Sequence, residues 1–193
     1  MEIIFASGNT HKVKEINEIL RGVSDLTVIS MKDIGCTEDI PETTGTIRGN
    51  AIQKATYLWY NYRVDCFSED TGLEIDALDG APGVDTAHYS GSRHADANIA
   101  LVLNNLHEKS SRTARFRTVI ALILDNKLHV FEGICTGEIA LEKSQGTEGF
   151  GYDPIFRPDG YDKTFAELGA DVKNVISHRA RAVQQLLDFL KAV

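Results

Sequence analysis

The sequence predicts an α/β fold of two lobes, a mixed sheet with flanking helices, on three observations. First, an apolar run at residues 2–6 passes through Ser7-Gly8-Asn9-Thr10 into Val13, Ile16, Ile19 and Leu20 at helical spacing, and residues 26–31 return as a strand. That order is a β-turn-α-β unit, which by default is a right-handed crossover between parallel strands. Second, the texture changes after Ser110, where two β-rich runs, 115–124 and 128–138, meet at Asp125-Asn126-Lys127 in the manner of a hairpin, expected in the second lobe. Third, a 193-residue chain that is 42% hydrophobic and 25% charged can bury a core without disulfides or a structural metal. No repeat, linker or low-complexity tract divides it, so residues 1–193 are expected to form a single domain with two lobes.

The remaining elements follow in order. Residues 33–46 are polar and acidic, with Pro41 and Gly45, and read as an exposed loop. A helix is expected over 47–63, with Asn50 and Lys54 one turn apart on one face. A strand starting at 66–68 is expected to end at Glu69-Asp70-Thr71-Gly72, with a second strand over 73–78. Residues 80–91 carry the breakers of a long ordered loop, and 95–108 resume a helical pattern. Residues 146–158 are rich in glycine and aromatics. A last helix over 177–192 places Ala182, Val183, Leu186, Leu187 and Leu190 on its buried side.

Bulk properties narrow the function classes. No apolar run approaches the ~20 residues needed to span a bilayer, and residues 1–6 lack the basic start of a signal peptide, so the chain is expected in the cytoplasm and away from membranes. Cys36, Cys66 and Cys135 stand far apart with no Cys-x-x-Cys pair and read as reduced thiols. A formal charge of −8 argues against nucleic-acid binding, which needs a basic stripe, while leaving small phosphorylated ligands open.

Four segments could carry chemistry, and each has a purely structural alternative. Ser7-Gly8-Asn9-Thr10-His11-Lys12 lies where a strand gives way to a helix, whose unpaired N–H groups can hold phosphate. The alternative is helix capping by Asn9 or Thr10. Glu42, Glu69 and Asp70 are carboxylates that a magnesium ion could compensate, since Mg²⁺ takes one or two carboxylates plus water and phosphate oxygens; otherwise the pair is a solvated strand end. In Gly149-Phe150-Gly151-Tyr152-Asp153-Pro154, Phe150 or Tyr152 could stack on a base, or the run is a turn. Lys173 with Ser177-His178-Arg179 sets cations at the start of the last helix, against the helix dipole, where an anionic or carbonyl-bearing ligand would offset them; exposed basic residues are the alternative.

Taken together, and in this order, these segments resemble the inosine triphosphate pyrophosphatases, hydrolases of non-standard purine nucleoside triphosphates. The resemblance also covers Gly80-Ala81-Pro82-Gly83 and Tyr89-Ser90-Gly91, and so spans the whole chain. It implies an elongated two-lobed fold with the active-site cleft between the lobes, a homodimer, Mg²⁺, and conversion of ITP, dITP or XTP to the monophosphate and pyrophosphate. On these residues it implies that Ser7, Gly8, Asn9, Thr10, His11, Lys12 and Lys54 hold the triphosphate, with Thr71 fixing the substrate. Glu42 and Asp70 would bind Mg²⁺, Asp70 also serving as general base. Phe150, Gly151, Tyr152, Asp153, Lys173, His178 and Arg179 would form the base pocket. Many bacterial relatives carry two aspartates where this chain has Glu69-Asp70, which leaves Glu69 to reach the metal through water or to orient Asp70. A nucleotide sensor without catalysis, and a house-cleaning pyrophosphatase of the Maf type, remain as rival readings.

Overall fold

The computed structural model describes residues 2–21 and 26–193. Its strands are β1 (Glu2–Phe5), β2 (Thr27–Ser30), β3 (Cys66–Ile75), β4 (Pro82–Gly83), β5 (Thr113–Leu124), β6 (Lys127–Ile139) and β7 (Phe156–Pro158). Its α-helices are α1 (Thr10–Leu20), α2 (Ile47–Tyr62), α3 (Ala95–Asn105), α4 (Phe165–Ile176) and α5 (His178–Ala192). The strands are hydrogen-bonded in the order β2-β1-β3-β5-β6-β7, with β4 on β3. β1 is parallel to both β2 and β3, as the opening β-turn-α-β unit requires, whereas β4 and β7 pair antiparallel, so the sheet is mixed.

The chain forms two compact units, and β3, β5 and β6 each pass from one to the other. Unit 1 comprises Met1–Asp70, Thr118–Gly133 and Arg179–Val193; unit 2 comprises Thr71–Arg117 and Ile134–His178. Two expectations change here. The 115–138 hairpin is divided between the units and does not lie wholly in the second: its turn, Asp125-Asn126 with φ 50° and 62°, and residues 118–133 around it lie in unit 1, while 115–117 and 134–138 lie in unit 2. Nor does a strand stop at the acidic pair. β3 runs unbroken for ten residues, because cations described below neutralise Glu69 and Asp70 inside it.

Strand alternation organises unit 1. On one face of β3, Phe67 stacks on Phe5 at 4.6 Å and joins Ile3, Ile120 and Leu122 against Ile16 and Leu20 of α1 and Ala182, Val183, Leu186 and Leu187 of α5. On the other face, Cys66 Sγ donates to the Ala55 carbonyl and Ser68 Oγ to the Ala51 carbonyl, both on α2. Ala51 and Ala55 are small enough to bring that helix close.

Unit 2 has its own core, in which Leu73, Ile75, Val102, Leu106, Phe116, Phe156 and Phe165 cluster, Phe116 lying 4.7 Å from Phe156. Helix α4 within it is not among the elements expected from the sequence, although Thr164 and Glu167 form the capping box that marks such starts. Gly169, at φ 81° inside it, breaks the helical run and masks the period. The segment 80–91 is ordered as expected and contributes β4, with Gly83 opposite Leu73.

At the β6–β7 pairing, Gly137 faces Pro158, and a Cβ on it would lie well inside contact distance of the Arg157 carbonyl oxygen. Gly137→Ala should therefore cost about 1–3 kcal/mol by overpacking, read as a lower urea midpoint with an unchanged m-value.

Candidate active site

β3 carries two adjacent acids, and alternation sends them to opposite faces. Glu69 continues the Phe67 side. Arg179 of α5 grips it with two parallel bonds, Nε to Oε2 at 2.7 Å and Nη2 to Oε1 at 3.1 Å, and Lys12 Nζ of α1 lies 2.8 Å from Oε1. The remaining terminal nitrogen of Arg179, Nη1, bonds Glu15 of α1. Glu69 and Arg179 are each only 1% exposed. Burial alone would raise the Glu69 carboxyl, but the charges of Arg179 and Lys12 outweigh it and hold the group ionised well below the usual carboxylate range. Arg179 is correspondingly raised: burial opposes its charge, and Glu69 and Glu15 overcome the opposition.

Asp70 continues the Ser68 side, toward α2. Lys54 Nζ lies 3.3 Å from Asp70 Oδ1 and also bonds Glu42 Oε1, so one ammonium bridges two carboxylates. Burial favours the neutral lysine, but Asp70 and Glu42 reverse this and raise it. Asp70 responds differently. Desolvation lifts its carboxyl above the ordinary range, beyond what the charges of Lys54 and Lys12 restore. Among the described residues no group of three or more His, Cys, Asp or Glu is placed to hold a metal ion. A hard cation that completes its shell with water and phosphate oxygens does not need one. Two carboxylates sharing a single ammonium, one of them incompletely compensated, fit such an ion.

The turn 7–12 follows β1. Pairing of Ile4 with Cys66 and Phe5 with Phe67, and the Ala6 N–H bond to the Phe67 carbonyl at 2.8 Å, carry the turn level with Glu69 and Asp70. Asn9 is the N-cap of α1: its Oδ1 accepts from His11 N at 3.0 Å and Lys12 N at 3.2 Å, while Asn9 N donates to Ser7 Oγ at 3.2 Å. The capping alternative thus holds for Asn9. Those amides are taken, whereas Gly8 and Thr10 are exposed and have no side-chain cap on their amides among the described bonds. Lys12 provides a full positive charge at the same end of the helix.

In unit 2, Lys173 Nζ meets Asp153 Oδ2 at 2.6 Å and stands 4.8 Å from the Phe150 ring centre. Asp153 Oδ2 also accepts from Phe150 N at 2.8 Å. That closure needs Gly149, at φ 77°, because a Cβ there would collide with the Asp153 carboxylate. His178 stacks on Phe116 at 4.5 Å. Gly151, at φ 62°, makes the turn into Tyr152, and Thr71, half-buried on β3, opens the unit.

Two side chains depart from their expected places. Tyr152 is buried in the unit 2 core and its hydroxyl donates to the Thr86 carbonyl at 2.9 Å, so Phe150 is the ring left half-buried near Lys173. Arg179 does not join His178. Consecutive helical residues point about 100° apart; His178 turns to Phe116 of unit 2 and Arg179 to Glu69 of unit 1. The guanidinium at the basic helix start is therefore paired with internal carboxylates. Glu15 went unnoticed in the sequence, although an acid set among Val13, Ile16 and Ile19 on the apolar stripe of α1 signals a buried partner.

Comparison with known proteins supplies the remaining context. The model of the Ham1 family matches residues 3–189. A dITP/XTP pyrophosphatase of Flavobacterium johnsoniae is 51% identical over 193 residues, covering 100% of this chain and 99% of its own. One of Porphyromonas gingivalis is 51% identical over 191 residues, covering 98% and 97%. Among solved structures, a HAM1 protein from Coxiella burnetii superimposes with a TM-score of 0.90 at 38% identity, covering 100% of both chains.

Removing Glu69's charge strands buried cations. Glu69→Gln should destabilise the protein by about 3–5 kcal/mol, measured by urea unfolding, and more than Lys12→Met, whose ammonium is nearer solvent.

Proposed function

From the premise that the chain belongs to the Ham1 family, we propose that it hydrolyses deaminated purine nucleoside triphosphates, dITP, ITP and XTP, to the monophosphate and pyrophosphate. The observation that carries the reading is Asp70: a buried carboxyl with its proton affinity raised, beside Lys54 and Glu42 and level with a turn that ends in Lys12. Near-complete matches to dITP/XTP pyrophosphatases support the same substrate class.

Attack of water on the α-phosphorus forms one P–O bond and breaks the bond to the bridging oxygen, which leaves with pyrophosphate. Asp70 takes the water's proton. A base works best when its pKa approaches the working pH; in the metal-free protein desolvation moves Asp70 in that direction, and a bound Mg²⁺ would oppose it. Lys12 and Lys54, with Ser7, Gly8, Asn9, Thr10 and His11 around the helix start, would hold the triphosphate and stabilise charge gathering on the leaving oxygens, as Thr71 fixes the substrate. Glu42 and Asp70 would hold Mg²⁺, which neutralises phosphate charge when bound.

Purine recognition falls to unit 2, through Phe150, Gly151, Asp153, Lys173 and His178. A 6-oxo purine offers an acceptor where adenine offers a donor, so ATP would leave a buried donor unmatched at about 1–3 kcal/mol. The two units would act as one catalytic domain, in a cytoplasmic homodimer; the buried thiols Cys36, Cys66 and Cys135, none of them in a disulfide, suit a reducing compartment. No helix among the described residues is long and apolar enough to cross a membrane.

Pyrophosphate release should be fast with dITP, ITP and XTP, slow with ATP, abolished by EDTA and restored by Mg²⁺. Asp70→Asn should lower kcat about 10²–10⁴-fold. Near-normal turnover in that variant would remove Asp70 from the chemistry, and nucleotide binding without pyrophosphate would mark a sensor.

A further inference from the structure

The loop that carries Glu42 lies against α2 in a fixed register. Glu42 meets Lys54, Thr43 meets Gln53, and Thr44 meets Asn50, so the loop runs antiparallel to the helix with one contact per loop residue. The Thr43 contact is two-pointed: Thr43 N donates to Gln53 Oε1 at 2.8 Å and Gln53 Nε2 donates to Thr43 Oγ1 at 2.9 Å. Buried Asn50 Oδ1 accepts from Thr44 N at 3.1 Å and from Thr44 Oγ1 at 2.9 Å. Gly49 permits the approach, because a Cβ there would collide with the hydroxyls of Thr44 and Thr46.

The spacings are commensurate. Residues 50 to 54 rise ~6 Å along a helix, and two extended loop residues span at most ~7 Å. A slip of one loop residue would carry the Glu42 carboxylate ~3.3 Å, more than a Mg–O bond length. The three contacts also differ in kind. The Lys54 contact is ionic and must loosen when Glu42 turns to a cation, whereas the Asn50 and Gln53 contacts are neutral and do not compete for it.

We propose that Asn50 and Gln53 are positioning residues that hold the backbone of residues 43–44 so that the Glu42 carboxylate stays in register with Asp70, and that they thereby set how much Mg²⁺ the enzyme requires. This rests on the reading of Glu42 as a metal ligand. Helix α2 acts as a ruler with two neutral marks and one ionic one.

The test uses the Gln53 contact, which lies at the protein surface and can be cut without opening the core. Gln53→Ala, which removes both bonds, should raise the Mg²⁺ concentration for half-maximal pyrophosphate release from ITP about tenfold, and Thr43→Val, which removes only the hydroxyl bond, should raise it less, with kcat at saturating Mg²⁺ within about twofold of the parent in both. The double variant should be no worse than Gln53→Ala alone, and Thr43→Ser, which keeps both bonds, should behave as the parent. Independently of turnover, amide hydrogen exchange at residues 43 and 44 of the metal-free protein should accelerate in Gln53→Ala. Unchanged exchange, or faster exchange with an unchanged Mg²⁺ requirement, overturns the proposal. Glu42→Gln separates the two readings. If it leaves the Mg²⁺ requirement unaltered, the metal role of Glu42 fails and the ruler with it; if it raises the requirement while Gln53→Ala does not, the ruler alone fails.

Discussion

A carboxylate with no access to water can stay charged only if cations reach it from the protein itself, and the structure around Glu69 is organised by that demand. Arg179 comes from α5, Lys12 from the first turn of α1 and Glu69 from the middle of β3. Satisfying one buried charge therefore fixes three elements together and ties the chain's last helix to its first turn. Glu15 completes the arrangement by using the guanidinium nitrogen that Glu69 does not engage. Buried ion pairs add little net stability compared with apolar packing, but they are specific. A Leu at position 69 could pack in several ways; a carboxylate needing a fork and an ammonium has few.

The architecture was largely legible because it follows from periodicity. The parallel β1-α1-β2 opening, α2, the long hairpin and α5 all lie where spacing puts them. What was not legible depends on partners distant in sequence. Adjacent acids in an apolar run look like the end of a strand, and nothing local to Glu69-Asp70 reveals that Lys12, Lys54 and Arg179 arrive to neutralise them within β3. Tyr152 sat in a glycine-aromatic motif that suggested stacking on a ligand, yet the Thr86 carbonyl satisfies its hydroxyl, so it can be core. Arg179 looks available to a ligand in the sequence because its carboxylates, Glu69 and Glu15, lie 110 and 164 residues away.

The departures share a cause. Local rules assign a charged side chain to solvent or to a ligand, since neighbours in sequence seldom neutralise it. In this chain several charges are neutralised by tertiary contacts, and they concentrate around β3. Lys173 with Asp153 repeats the pattern in unit 2, where an ion pair sits beside Phe150 and Phe165. Each unit thus sets its polar groups beside an apolar cluster of its own.

The alternation of β3 has a consequence for how the chain can change over time. Glu69 and Asp70 are neighbours by one peptide bond, yet their ion-pair partners differ: Arg179 of α5 and Lys12 of α1 for one, Lys54 of α2 for the other, with the charge of Lys12 also felt at Asp70. A substitution at 69 is judged mainly by whether the protein folds, and one at 70 mainly by whether a proton finds a home. A change of side-chain length at 69 must therefore be matched at Arg179 and Glu15 if the buried charges are to stay paired, a demand that position 70 does not share.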